Sequence, residues 1–93
     1  MRREGVTPLR DYCVLMMRCE ESSFFGKAYV GSLGMMGRLK ESDLALKHRT
    51  SGETLGECIA SCGLDPKALT TGKPVIDTNR IAAFFELHIE QGP

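Results

Sequence analysis

An α/β domain is the fold class this sequence predicts, and three observations carry the expectation. Tyr12, Cys13, Val14, Leu15, Met16 and Met17 form an unbroken apolar run that suits a strand buried on both faces. Thr54 and Glu57 make a T-x-x-E capping box ahead of an apolar stripe, which marks a helix. Near the end of the chain, Phe85, Leu87 and Ile89 alternate with Glu86, His88 and Glu90, the period of a strand with one apolar and one polar face.

The 93 residues suffice for at most one small domain with a thin stability margin. Residues 2–8 are charged and end at the helix breaker Pro8, so they read as the tail of a helix. The apolar run over residues 11–19 follows as a strand, with helix as the competing reading because Leu and Met favour it. Glu20 and Glu21 close the run, and Ser22, Ser23 and Gly26 mark a loop that carries Phe24 and Phe25. In open α/β sheets ligands gather at the carboxyl ends of strands, so the acidic pair stands where chemistry is usually placed.

Gly31, Gly34 and Gly37 punctuate the next stretch, which argues against a regular helix and for close backbone packing. Ser42 is the expected N-cap of a short helix reaching about Lys47. A second helix starts at Thr54, carries Leu55, Cys58, Ile59 and Cys62 on one face, and ends at Gly63. Asp65 and Pro66 open a short turn, residues 70–74 form a polar turn, and residues 80–91 begin helically before becoming a strand. Gly92 and Pro93 are a turn signal rather than a domain boundary.

Lys and Arg number 12, as do Asp and Glu, so no net field draws nucleic acid or an anionic membrane. No apolar run approaches a bilayer span and no apolar core of a secretory signal is present, which sets a cytoplasmic expectation. Cys13, Cys19, Cys58 and Cys62 are read as reduced thiols packed among apolar neighbours, because a zinc knuckle needs further spaced ligands. His48, between Lys47 and Arg49, is read as solvent-exposed.

Two adjacent carboxylates at a strand end and a histidine flanked by carboxylates on another strand offer the donor types of a divalent metal site for zinc, manganese or cobalt. One carboxylate of such a pair can bind the cation while the other moves protons. Alone, a Glu-Glu pair is most often a solvated loop edge, and a His beside Glu is usually surface decoration.

Three stretches, in order, resemble the N-carbamoyl-L-amino-acid hydrolase and allantoate amidohydrolase family. Glu20-Glu21-Ser22-Ser23-Phe24-Phe25-Gly26, followed by Tyr29-Val30-Gly31-Ser32, is similar to that family's E-E-G-S-R-F-G and F-L-G-S segments. Met36-Gly37-Arg38-Leu39, Gly52, Thr54-Leu55 and Gly63-Leu64-Asp65-Pro66 resemble its connecting helices. Phe85-Glu86-Leu87-His88-Ile89-Glu90-Gln91-Gly92-Pro93 is similar to its L-E-L-H-I-E-Q-G-P stretch over all nine residues. Ser22 stands where the pattern has glycine, and Phe24 where it has arginine.

The resemblance implies a partial zinc-peptidase-like catalytic domain with a few strands and short helices. It implies Glu21 and His88 as metal ligands, Glu20 as the proton-transfer group and Gln91 near substrate. The family's upstream histidine, bridging aspartate, C-terminal histidine and lid and dimerisation domain have no counterpart in residues 1–93. The resemblance therefore implies an incomplete catalytic-domain fragment, inactive alone, holding a divalent metal (Zn, Mn or Co) weakly or not at all. The intact enzyme it implies is a homodimer hydrolysing a small carbamoyl or ureido substrate. A non-catalytic remnant that associates through exposed strand edges and apolar surface is the alternative.

Overall fold

A computed structural model describes residues 4, 5 and 7–90. The expected helix tail over residues 2–8 lies partly outside the described residues, and Gln91, Gly92 and Pro93 lie wholly outside them. Three short helices run α1 (Val30–Met35), α2 (Glu41–Leu44) and α3 (Leu55–Ser61), followed by 3-10 turns at Lys67–Thr70 and Thr78–Arg80.

Helix α3 forms as its residues dictate. Thr54 Oγ1 accepts from the Glu57 N–H at 3.2 Å, and the Glu57 carboxylate accepts in return from the Thr54 N–H at 2.7 Å. These Thr54 contacts, the backbone N–H first, hold the Glu57 carboxyl below its ordinary range. At the other end Gly63 takes the left-handed conformation (φ +80°). Its N–H bonds to the Ala60 carbonyl and that of Leu64 to the Ile59 carbonyl, a Schellman closure.

Helix α1 exists despite its glycines and ends the same way, with Gly37 at φ +65° and Arg38 N–H on the Leu33 carbonyl. The glycines do provide close packing. A Cβ on Gly31 would collide with the Arg18 carbonyl oxygen, and one on Gly37 with that of Lys73.

The start of α2 differs from expectation. Lys40, not Ser42, is the N-cap, because the Asp43 carboxylate reaches back to accept from the Lys40 N–H at 2.8 Å. The same carboxylate takes the Lys27 ammonium at 3.2 Å, a second partner that Ser42 cannot match. Asp43 is buried, which pushes its carboxyl up, but the Lys40 N–H and the Lys27 ammonium outweigh burial and hold it below the ordinary value.

Val30, Leu39 and Leu55 form the core, with Cys19, Phe25, Leu33, Ile59 and Leu69 packed around them. Helices α2 and α3 pack together, and α1 lies on the 67–70 turn. The N–H groups of Gly72 and Val75 close this unit by bonding to the Gly37 and Met35 carbonyls.

The apolar run departs from the buried strand expected of it. Residues 11–18 are exposed, Val14 at 90% and Met16 at 92%. Residues 81–90 are likewise exposed and neither helical nor paired, so the expected helical start there reduces to the Thr78–Arg80 turn capped by Asp77. Among the described residues the β pairing is one antiparallel bridge, Lys47 to Thr54. A strand buries its faces and pairs its amides only against neighbours, and among the described residues neither run is paired with another segment. The radius of gyration, 16.4 Å, exceeds the roughly 12 Å of a compact domain of this length.

All four cysteines are free thiols; Cys19 and Cys58 are half-buried, whereas Cys13 and Cys62 are exposed rather than packed as expected. Burial, with Glu53 and Glu57 adding to it, pushes the Cys58 thiol up, away from the reactive thiolate.

Candidate functional site

Glu20 and Glu21 sit in a turn that the backbone fixes from behind. The Tyr29 N–H bonds to the Glu20 carbonyl at 2.7 Å and the Val30 N–H to the Cys19 carbonyl at 3.0 Å. Cys19 (φ +53°) and Tyr29 (φ +61°) both adopt the left-handed conformation, rare for residues with a side chain, so the chain reverses sharply on each side of the carboxylates. Beyond them the Gly26 N–H closes a turn on the Ser22 carbonyl at 3.0 Å.

An open depression of about 340 Å³ results, lined by Cys19, Glu20, Glu21, Ser23 and Phe24. The Ser23 hydroxyl donates to Glu21 Oε2 at 3.3 Å. Two adjacent carboxylates in one depression can hold a cation and exchange a proton with water, the division of labour expected of them.

His88 is exposed in the terminal run, with Nδ1–H donating to the Ile89 carbonyl at 2.6 Å. In the neutral ring this leaves the lone pair on Nε2, the arrangement a metal-binding imidazole uses. His88 is not part of the wall of the Glu20–Glu21 depression, and among the described residues no three His, Cys, Asp or Glu side chains gather into a group able to hold a metal ion. The donor types suit a divalent cation; Glu20 and Glu21 share the depression, and His88 does not line it. Gln91 falls outside the described residues.

His48 corrects the sequence reading. It is half-buried, its ring lying flat on Phe24 (5.2 Å between centroids, 13° between planes) and edge-on to Phe25 (5.3 Å, 78°). Its Nδ1 accepts from the N–H groups of Thr50 and Ser51, both at 3.2 Å. The available signal was the Phe24-Phe25 pair inside a polar loop, which needs a partner for its apolar area.

Comparison with known proteins supplies what geometry alone does not. An uncharacterized hydrolase of Haemophilus influenzae is 36% identical over 80 residues, or 86% of this chain and 19% of its own length. An N-carbamoyl-L-amino-acid amidohydrolase of a Pseudomonas species is 35% identical over 74 residues, 80% of this chain and 18% of its own. The allantoate amidohydrolase of Escherichia coli is 34% identical over 86 residues, 91% of this chain and 20% of its own. The chain thus spans a fifth or less of the length of these curated relatives. No family model and no solved structure matches it. With an identity of 34–36% sustained over most of its residues, the chain belongs to the hydrolase family that includes the N-carbamoyl-L-amino-acid and allantoate amidohydrolases.

Proposed function

We propose that these residues are part of the α/β, zinc-peptidase-like catalytic domain of an enzyme hydrolysing a carbamoyl or ureido C–N bond, of the N-carbamoyl-L-amino-acid or allantoate type. The single observation that carries this reading is the Glu20–Glu21 depression, in a chain whose matched relatives are amidohydrolases. Glu20 moves the proton between the attacking water and the departing nitrogen. Glu21 and His88 Nε2 hold a divalent cation (Zn, Mn or Co), and Gln91 orients the substrate. Such a cation supplies Lewis acidity, polarising the scissile carbonyl and easing deprotonation of water. In this reading residues 11–19 and 85–90 become strands of one sheet in the complete protein, and pairing brings His88 to the carboxylates.

The complete protein is proposed to be a cytoplasmic homodimer acting on a small substrate, with no nucleic-acid or membrane partner. Among the described residues no helix is long and apolar enough to cross a membrane. The 93 residues alone are expected to be inactive with zinc or manganese. Exposure of Leu9, Val14, Met16, Phe85 and Leu87 supports a second reading of the isolated chain, an interaction fragment whose apolar runs associate with other chains.

The test is a chimera in which this chain replaces the matched segment of the E. coli allantoate amidohydrolase. Turnover of allantoate is expected. Glu20→Gln should lower kcat by about 10²- to 10⁴-fold with metal content kept, whereas His88→Ala should deplete the metal. Equal activity in both variants rules out these roles.

A further inference from the structure

The loop that follows the carboxylates is gripped from outside at Phe24 and Phe25. Besides stacking on the Phe24 ring, the His48 stretch reaches its main chain, since the Arg49 N–H bonds to the Phe24 carbonyl at 2.9 Å. The imidazole is itself fixed on the remaining side. Thr50 and Ser51 donate to its Nδ1, and the His48 N–H bonds to the Glu53 carbonyl at 2.8 Å. Phe24 lies three residues beyond Glu21 and forms part of the same depression. Apart from this grip, residues 21–27 are held by the Gly26 to Ser22 bond, the Ser23 to Glu21 bond, the Lys27–Asp43 ion pair and the packing of Phe25 against the core. Of these, the ion pair and the Phe25 packing reach other elements of the fold, and neither fixes Phe24.

We infer that His48 is a positioning residue for the Glu20–Glu21 turn, acting through the rings of Phe24 and Phe25. The inference rests on the reading of those carboxylates as the reacting groups, but its first test needs no turnover. Two properties of the imidazole can be separated. His48→Phe keeps a ring for the two phenylalanines and loses the acceptor for Thr50 and Ser51. His48→Asn keeps an acceptor at Oδ1 and loses the ring.

Amide hydrogen exchange of the 93-residue chain reads the difference. In His48→Asn, exchange at the Arg49 and Gly26 amides should rise about tenfold while the Cys58 amide inside α3 stays unchanged, and His48→Phe should hold both loop amides within about twofold of the parent. Equal loss in both variants, or parallel loss at Cys58, assigns His48 a general folding role and overturns the inference.

In the chimera, His48→Asn should lower kcat with KM little changed, and His48→Phe should restore it. If His48→Asn leaves kcat intact while Glu20→Gln abolishes turnover, the positioning role fails and the role of Glu20 stands. If exchange behaves as expected but Glu20→Gln retains turnover, the carboxylate assignment fails and the grip of His48 on its loop stands.

Discussion

Residues 19–75 and the runs on either side of them make opposite use of apolar side chains. The middle buries only Val30, Leu39 and Leu55, yet each of its helices is closed by local bonds: a carboxylate at the start of α2 and α3, a left-handed glycine at the end of α1 and α3. The flanks hold the denser apolar runs and leave them in solvent, with Leu87 wholly exposed and Met16 nearly so. They face one another across an open groove of about 760 Å³ between residues 10–15 and 76–85 without pairing. Hydrophobicity therefore does not place a residue in a core; a neighbour does. A helical turn finds its hydrogen-bond partners within four residues, whereas a strand must find them on another segment.

This contrast breaks first if the middle is not the stable part. Leu55→Ala, at a site 2% exposed, should cost about 3 kcal/mol. Its readout is collapse of amide protection in α1 and α3 with no change in the flanks; a loss below about 1 kcal/mol would show that no core exists there.

Asp43→Ala comes next, at about 1 to 2 kcal/mol, since it removes both the acceptor for the Lys40 N–H and the counter-ion of Lys27. Because the folded Asp43 carboxyl titrates below its unfolded value of 3.8, its contribution is present above that pH and is lost as pH falls through the folded value. Stability of the parent should decline over that acid range by denaturant titration, and Asp43→Ala should remove that part of the decline. An unchanged slope would deny Asp43 its role.

Thr54→Ala should cost about 1 kcal/mol and reduce helicity by circular dichroism, because the Glu57 N–H loses its acceptor. The smallest effect sharpens the comparison from the other side. Met16→Lys should change stability by less than about 0.5 kcal/mol and reduce self-association by light scattering. A larger destabilisation would mean that the flank is packed after all.

The same contrast explains what could be read from the residues. Helix α3 was legible from Thr54 to Gly63 because its capping box and terminal glycine act over three or four positions. The turn after Asp65 was legible for the same reason, whereas the close approaches of Arg18 to Gly31 and of Lys73 to Gly37 were legible only as close packing, from the glycines themselves. The N-terminus of α2 was misplaced because the cap is Lys40, bonded by the Asp43 carboxylate, whose second partner, Lys27, lies 16 positions earlier. His48 looked solvent-exposed because the rings that enclose it lie 23 and 24 residues earlier. At the candidate site, Glu20 and Glu21 were expected together and share one depression, a consequence of adjacency. The proposed convergence of His88 on them would be a long-range property of sheet pairing, which the sequence pattern alone does not impose.

The close approach of the main chain to Gly31 has a consequence for how this chain can change. The Arg18 carbonyl oxygen occupies the space a side chain there would need, immediately before the left-handed Cys19 and the acidic pair. Even a single methyl at position 31 would push the main chain at its entry into the Glu20–Glu21 turn. Substitution at this one helix position is thereby a lever on the carboxylates, although its residue carries no chemistry of its own.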